Sequence, residues 1–446
     1  MKNRKLIIVS NDALVKEDMD YLLTKPLIKQ MAKKGTWVKT LKTVYPSITY
    51  CCHTSMITGC YPNKTHLYNN EVDEWGNSNW VWERSYNKMK TLLDAFKEKG
   101  LTTANVFWPV TGKDNSIDYN IPEYWSQTAD EPLTVALKRM GTSDKVIKDI
   151  VEPNLHYIDG HQRQHPYCDE FVFSCACDMI KKYQPDLLVL HPGGIDGLRH
   201  QKGVFNEYVT EQVDITYYWL NKIVQAVKEI GEFENTDFIF TSDHGQMDIK
   251  RWAHPNVLST EAGLITLNEE NIKNANGKFI DGNEAVSSYR AYIKAVGASA
   301  QVFIKDKDDK EAYDLVHKLF SEKAKTKMYG FERVYTTEEA LKETHLSGDF
   351  DFVLESDGYS AFGWEPFGPY YTGADISDYR TGVGTHGYLP DKGPQPSMLM
   401  FGPDFNEGVT IERRDTIDMV ATLVKLFNLN MPDIDGKVIF EAIKNK

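Results

Sequence analysis

Short apolar, β-branched runs recur along the chain, and each closes on polar or glycine residues. Lys5–Ser10 leads into Asn11-Asp12, and 37–44 into Tyr45-Pro46-Ser47. Farther on, 102–107 leads into Trp108-Pro109, 186–190 into His191-Pro192-Gly193-Gly194, and 237–241 into Ser242-Asp243-His244-Gly245. Runs this short and continuous predict strands buried on both faces, as in a parallel sheet. Helical spacing at 18–34, 88–99, 130–150, 170–183 and 205–230 predicts the crossovers, with Gly100 stopping the second of these. The alternation predicts an α/β fold, a doubly wound and mostly parallel sheet flanked by helices, with its site at the strand C-termini. Between about 265 and 375 the pattern changes to a strand at 300–304, a charged helix at 309–324 and a Gly/Tyr/Pro-rich run at 358–373. That stretch predicts a smaller α+β cap insertion. The α/β pattern returns with a strand at 397–401 and a helix at 415–427. The expected organisation is a catalytic core of 1–264 and 376–446, interrupted by a cap of 265–375.

Composition narrows the function classes. A net charge of −13 argues against binding to a nucleic-acid polymer, which runs on basic surface. A small anionic substrate stays open if something local, such as a metal ion, supplies positive charge. The basic N-terminus precedes only four apolar residues, 6–9, too few for a signal peptide, and no stretch reaches membrane-spanning length. The six cysteines (51, 52, 60, 168, 175, 177) follow no disulfide framework and read as reduced thiols. The expectation is a cytoplasmic chain with no membrane partner; the sequence says nothing of oligomeric state.

The chemistry begins at 45–59, an extended start with Thr49 at its tip and a short apolar run closing on Gly59. A hydroxyl at a strand-to-helix turn suits a nucleophile, because a helix N-terminus favours negative charge. For a lone Thr a helix cap is the first reading. The company it keeps decides: Asp12, the pair Asp196 and His200, the pair Asp243 and His244, and His386 all follow strands or sit in Gly-flanked loops. Three carboxylates with three imidazoles make a mixed N/O set that suits zinc, with manganese second. With Thr49 the set exceeds the needs of one ion, so two ions about 4 Å apart are expected, clamping attacking and leaving oxygens at phosphorus and activating the Thr hydroxyl. His161, His165, His191 and His254 are read as surface or core residues.

With these pieces in place the sequence resembles the alkaline phosphatase superfamily, in its nucleotide pyrophosphatase/phosphodiesterase (type I phosphodiesterase) branch. The resemblance is carried by Asn11-Asp12, by Pro-Ser-Ile-Thr-Tyr-Cys-Cys-His-Thr-Ser-Met-Ile-Thr-Gly-Cys-Tyr-Pro at 46–62, and by Tyr-Asn-Asn at 68–70. Phe-Trp-Pro at 107–109, Asp-Gly-Leu-Arg-His at 196–200, Ser-Asp-His-Gly at 242–245, Thr-His-Gly-Tyr at 385–388 and Pro-Asp-Ile-Asp-Gly-Lys at 432–437 complete it. It covers the core and matches the cap only in position. The resemblance implies one ion on Asp196, His200 and His386, and another on Asp12, Asp243, His244 and the Thr49 oxygen. It further implies hydrolysis of a phosphate diester or pyrophosphate of a small, nucleotide-like organophosphate through a phospho-Thr49 intermediate. Two departures bear on the substrate. Cys51 and Cys52 stand where the family has Pro-Asn, and a thiol is a weak donor. Arg199 replaces a small residue before His200, and is read either as salt-bridged locally or as reaching toward substrate. Asn70, Cys52, Trp82, Trp108 and Arg199 are the candidate substrate contacts; Tyr68, Trp75 and Trp80 join the two tryptophans as residues that either fill core, the first reading, or line the pocket. A phosphonate hydrolase, a phosphomonoesterase or a mutase on the same site is the alternative, and would need an added cation, for which Arg199 and Arg380 are the candidates. A metal-binding pseudoenzyme is the remote one. The sulfatase branch is disfavoured, since neither Cys51 nor Cys52 is followed by the Pro and Arg that branch needs.

Overall fold

The computed structural model describes residues 4–275, 282–377 and 382–444. The apolar runs become the strands of one eight-stranded sheet. They are β1 (Lys5–Ser10), β2 (Gly35–Lys42), β3 (Thr103–Val106), β4 (Tyr119–Ile121), β5 (Leu187–Leu190) and β6 (Thr236–Thr241). The sheet is completed by two late strands, Met398–Phe401 and Val409–Asp415. Its cores follow from strand periodicity. Ile7, Val9, Leu188, Leu190, Phe238 and Phe240 join one apolar cluster, while Leu6, Ile8, Leu187, Val189 and Ile239 join another on the opposite face.

The flanking helices, in chain order, are α1 (Lys16–Leu22), α2 (Pro26–Lys33), α3 (Thr49–Thr58), α4 (Leu92–Glu98), α5 (Leu133–Arg139), α6 (Tyr167–Tyr183), α7 (Gly194–Lys202) and α8 (Glu207–Glu229). Two expected helices are broken. The 18–34 helix divides because Pro26 has no N–H to continue a helix and instead opens α2. The 130–150 helix stops after Arg139, Gly141 turns the chain at φ +103°, and Ser143 starts a new short helix by accepting the Val146 N–H.

The change of pattern after 250 is an α+β unit. Strand β7 (Arg251–Ala253) comes first, then β8 (Ala291–Val296), β9 (Ser299–Ile304), helix α9 (Lys310–Thr326), β10 (Phe331–Thr336), β11 (Phe352–Ser356), β12 (Ser360–Phe362) and β13 (Tyr371–Thr372). Strands β8-β9-β11-β10 form an antiparallel sheet against which α9 packs Val316 and Phe320. Strand β7 pairs with β12 and β13, and Ala253 and Leu258 share the same apolar cluster, so the residues that build this core begin before 265.

Numbering the two late strands β14 (Met398–Phe401) and β15 (Val409–Asp415), the main sheet has the order β15-β2-β14-β6-β1-β5-β3-β4. Every pairing is parallel except those of β14, which runs antiparallel to both β2 and β6. The reversal has a consequence for the site: residues preceding β14 reach the same edge as residues following β1, β5 and β6. The last helix, α10 (Asp418–Phe427), packs Met419, Val420 and Leu423 on the face it shares with α3 and α4. Among the described residues no helix is long and apolar enough to cross a membrane, and all six cysteines are buried and unpaired.

Candidate metal centre and nucleophile

The middle strands β6, β1 and β5 deliver their C-terminal residues to one place. Asp12 follows β1, Asp243 and His244 follow β6, and Asp196 and His200 lie one helical turn apart on α7, just after β5. His386 comes from the segment before the reversed β14. Thr49 opens α3, and Ile48, not Thr49, holds the N-cap position without a side-chain bond. The Thr49 hydroxyl is therefore not occupied as a cap, and Oγ1 lies 3.1 Å from His244 Nε2.

His244 Nε2 also lies 3.1 Å from Asp243 Oδ2 and 3.4 Å from Asp12 Oδ1. On the other side His200 Nε2 is 3.4 Å and His386 Nε2 3.7 Å from Asp196. Two groups of ligand atoms emerge, Asp196 with His200 and His386, and Asp12 with Asp196 and His244, each within 4.8 Å of one another. Asp196 belongs to both, which joins them into one centre. Among the described residues every ion-pair partner of Asp12, Asp196 and Asp243 is a histidine.

The protonation states fit metal ligation. Burial pushes His244 and His386 below the usual imidazole range, so both rings are neutral. His200 Nδ1 pairs with the Gly384 carbonyl at 2.8 Å and His386 Nδ1 with the Ser47 carbonyl at 3.2 Å. Each ring thus donates from Nδ1 and turns a bare Nε2 inward. Burial raises Asp243 and Asp196, but the surrounding imidazoles outweigh it and hold both carboxyls well below the usual range. Asp12 goes the other way, raised by burial and then by Asp196 and Asp243. Asp12 Oδ1 and Asp243 Oδ2 are buried without a hydrogen-bond partner. Orphaned carboxylate oxygens facing neutral imidazoles, with no Lys or Arg among the described residues paired to them, are a donor set that fits a divalent cation.

Residues outside the expected set complete the centre. His53, one turn along α3 from Thr49, meets the Thr49 carbonyl at 2.9 Å, Ser10 Oγ at 2.9 Å and Asp243 Oδ2 at 3.3 Å. Its spacing of four from Thr49 was a usable signal. His191, read from sequence as a surface or core residue, places Nε2 3.0 Å from Asp12 Oδ2, and burial together with His53 lowers it to about 3. Glu123 faces the other His191 nitrogen at 3.8 Å and is pushed up to about 8, chiefly by burial. Gln246 donates to the Asp196 carboxylate and, at 3.0 Å, to its carbonyl. No local pattern marks Glu123 or Gln246.

Of the expected substrate contacts, Asn70 and Trp82 are brought to Tyr50, at the start of α3. Asn70 Oδ1 accepts the Tyr50 N–H at 2.9 Å, which leaves its amide N–H2 as the donor end. Trp82, half-buried, stacks on Trp80 at 5.4 Å, and both rings stand edge-on to Tyr50. Three others need correction. Cys52 lies in an apolar cluster with Val44, Ile48, Cys51, Val296 and Ile417, and its sulfur takes the Thr43 hydroxyl at 3.1 Å. Trp108 is fully buried with its N–H on the His53 carbonyl. Arg199 is 0% exposed and gives both Nη2 bonds to Asp18 at 2.8 Å, pinning α7 to α1. Tyr68 and Trp75 pack with residues of the cap, as core. Arg380 lies outside the described residues.

Comparison with known proteins agrees with this geometry. The family model for type I phosphodiesterase / nucleotide pyrophosphatase matches residues 6–389. An uncharacterized pyrophosphatase/phosphodiesterase of Schizosaccharomyces pombe is 23% identical over 258 residues, 54% of this chain and 44% of the relative, so the chain spans less than half the length of that protein. Murine ectonucleotide pyrophosphatase/phosphodiesterase 5 superposes with a TM-score of 0.63 at 16% identity, covering 97% of this chain and 98% of that one. An inactive form of the murine protein in complex with AMP gives a TM-score of 0.62 at 16% identity, with 97% of each chain covered. At that identity the structural likeness is one of fold.

Proposed function

We propose, for a chain that belongs to the type I phosphodiesterase / nucleotide pyrophosphatase family, that it hydrolyses small phosphate diesters or pyrophosphates, with Thr49 as nucleophile and a phospho-Thr49 intermediate. The observation that carries this reading is that the Thr49 hydroxyl lies against His244, among carboxylates whose ion-pair partners, among the described residues, are all histidines. Asp196, His200 and His386 would hold one zinc ion, and Asp12, Asp243 and His244 another, with manganese as the second choice. Bound there, such ions supply the positive charge that stabilises the in-line displacement and lowers the pKa of the hydroxyl. The chain's own part is positional. Thr49 aims Oγ1 into the centre from the first residue of α3, whose N-terminus favours the anion that forms. Asn70 donates its amide N–H2 to a non-bridging oxygen. The Trp80–Trp82 pair, beside Tyr50, offers a face for a flat substituent of the substrate such as a nucleobase. AMP in the murine protein supports that substrate class. Asp18 occupies Arg199, which removes one cation that a doubly charged monoester or phosphonate would need and favours a diester.

The test is paired hydrolysis of bis-p-nitrophenyl phosphate and p-nitrophenyl phosphate by zinc-loaded protein. The diester is expected to turn over faster, and Thr49→Ala to lose activity by ~10³-fold or more while keeping its metal. A faster monoester would overturn the diester assignment and leave the centre standing.

A further inference from the structure

The cap reaches the metal centre through backbone. Between β8 and β9 the chain turns at Gly297 and Ala298, and the Ala298 N–H donates to the carbonyl of His386 at 2.7 Å. The contact admits no side chain on either strand of it. A Cβ on Gly297, at φ +67°, would stand 2.2 Å from the His386 oxygen; a Cβ on Gly387, at φ +94°, would stand 1.9 Å from the Val296 oxygen. Two glycines therefore let two backbones touch where either with a side chain would force His386 away.

The same tip is tied down on its other sides. Gly297 O accepts the Phe362 N–H at 2.9 Å and Ala298 O the Ser356 N–H at 3.1 Å, both from the cap. Val296 enters the apolar cluster beneath the nucleophile helix, against Ile48, Cys51 and Cys52. Here the two cysteines find a use: they are small, apolar and buried, and they make the seat into which the cap inserts Val296. Beyond His386 the line continues to Ser47, whose carbonyl takes the Gly387 N–H at 2.8 Å and faces His386 Nδ1 at 3.2 Å. Ser47 stands two residues before Thr49.

We propose that the hairpin tip Val296-Gly297-Ala298 is the positioning element for His386, so that the seating of the cap on the core sets how well the Asp196–His200–His386 group takes its ion. The proposal rests on the metal reading given above and goes beyond it by giving the insertion a part in assembling the site. The His386 ring is held from behind by Ser47 and from the carbonyl side by the cap. Withdrawal of the tip removes one hydrogen bond and one steric wall from the residue that must keep Nε2 aimed at Asp196.

The experiment titrates the chelator-stripped, full-length protein with zinc alone, reading stoichiometry and affinity by competition with a chromophoric chelator. Gly297→Ala is compared with Gly263→Ala, whose φ of +76° carries the same backbone strain but whose added Cβ meets nothing within 4 Å. Wild type and Gly263→Ala are expected to bind two zinc ions alike. Gly297→Ala is expected to keep one at wild-type affinity and weaken the other by ~10-fold or more. If circular dichroism shows that Gly297→Ala does not fold, Val296→Ala decides, with the same one-ion weakening expected to a smaller degree. Variants that bind both ions as wild type does, or that weaken both ions together, overturn the hairpin's role. A wild type that takes up no zinc overturns the metal reading and this proposal with it.

Discussion

Asp12 shows how the cluster of carboxylates and imidazoles is built against the stability of the chain that carries it. Burial and the nearby Asp196 and Asp243 carboxylates raise its pKa. In the window between the unfolded carboxylate pKa, about 4, and that raised value, the native state binds more protons than the unfolded state. Stability contributed here therefore falls as pH rises through the window. Asp243 and Asp196 have depressed values, so their contribution is present above about pH 4 and lost as pH falls through their native values. In chelator-treated protein, Asp12→Asn is expected to melt higher than wild type at pH 7, with the gain fading toward pH 4, whereas Asp243→Asn melts lower at pH 7. Scanning fluorimetry across pH checks both, and an Asp12→Asn chain no more stable at pH 7 would contradict the electrostatic account. Zinc uptake should fail in both.

At the scale of elements, helix α7 illustrates how a ligand pair is aimed. Its first N–H groups have no intrahelical partners, and Asp169 of α6 supplies them: Oδ1 accepts Gly193 N–H at 2.9 Å and Gly194 N–H at 3.1 Å. The second oxygen takes Gln212 of α8 at 2.8 Å. A Cβ on Gly194 would fall 1.8 Å from Asp169 Oδ2, and one on Gly197 2.6 Å from the His165 ring, which explains two glycines of the 193–197 run. Asp169→Ala should cost about 1–3 kcal/mol in urea unfolding, because buried donors lose their acceptor, and should weaken zinc binding through Asp196 and His200. Asp169→Asn retains an amide oxygen and should recover part of both losses. Equal losses in the two variants would contradict the acceptor role.

At the scale of the molecule, cap and core are fastened at several points. Glu355 of β11 accepts the Tyr45 hydroxyl at 2.9 Å and pairs with Lys392 at 2.7 Å. Lys294 of β8 pairs with Glu71 at 3.5 Å and donates to the Asn77 carbonyl at 2.7 Å, and Gln301 donates to the Tyr68 carbonyl at 2.6 Å. These ties cross the boundary between the cap and the segment that carries Asn70 and Trp82. One cooperative thermal transition is therefore expected, coincident by circular dichroism and tryptophan fluorescence. Zinc at ~100 times its Kd should stabilise the fold by about 2.7 kcal/mol per ion. Two separated transitions would show that the cap unfolds by itself.

The strands and most of the crossovers were legible because each is a local signal, and the seven residues from Asp12 to His386, singled out by an apolar run closing on polar residues, a Thr at a turn and Asp-His-Gly after a strand, are brought together by the fold. The match over residues 6–389 bears out the family read from those pieces. Local spacing could not tell which polar residues meet across distance. His191 and Asp12 are 179 positions apart and touch because β1 and β5 are neighbours in the sheet. For Arg199 a local salt bridge and a substrate contact were both open until folding set Asp18 against it, and Cys52 looked like a site residue until the cap covered it with Val296. Sequence by itself determined the fold class and the donor chemistry, since both follow from residue type and short-range periodicity. Only the tertiary structure decided which side chains face the centre and where the cap meets it, because those depend on strand order and on backbone contacts between segments far apart in the chain.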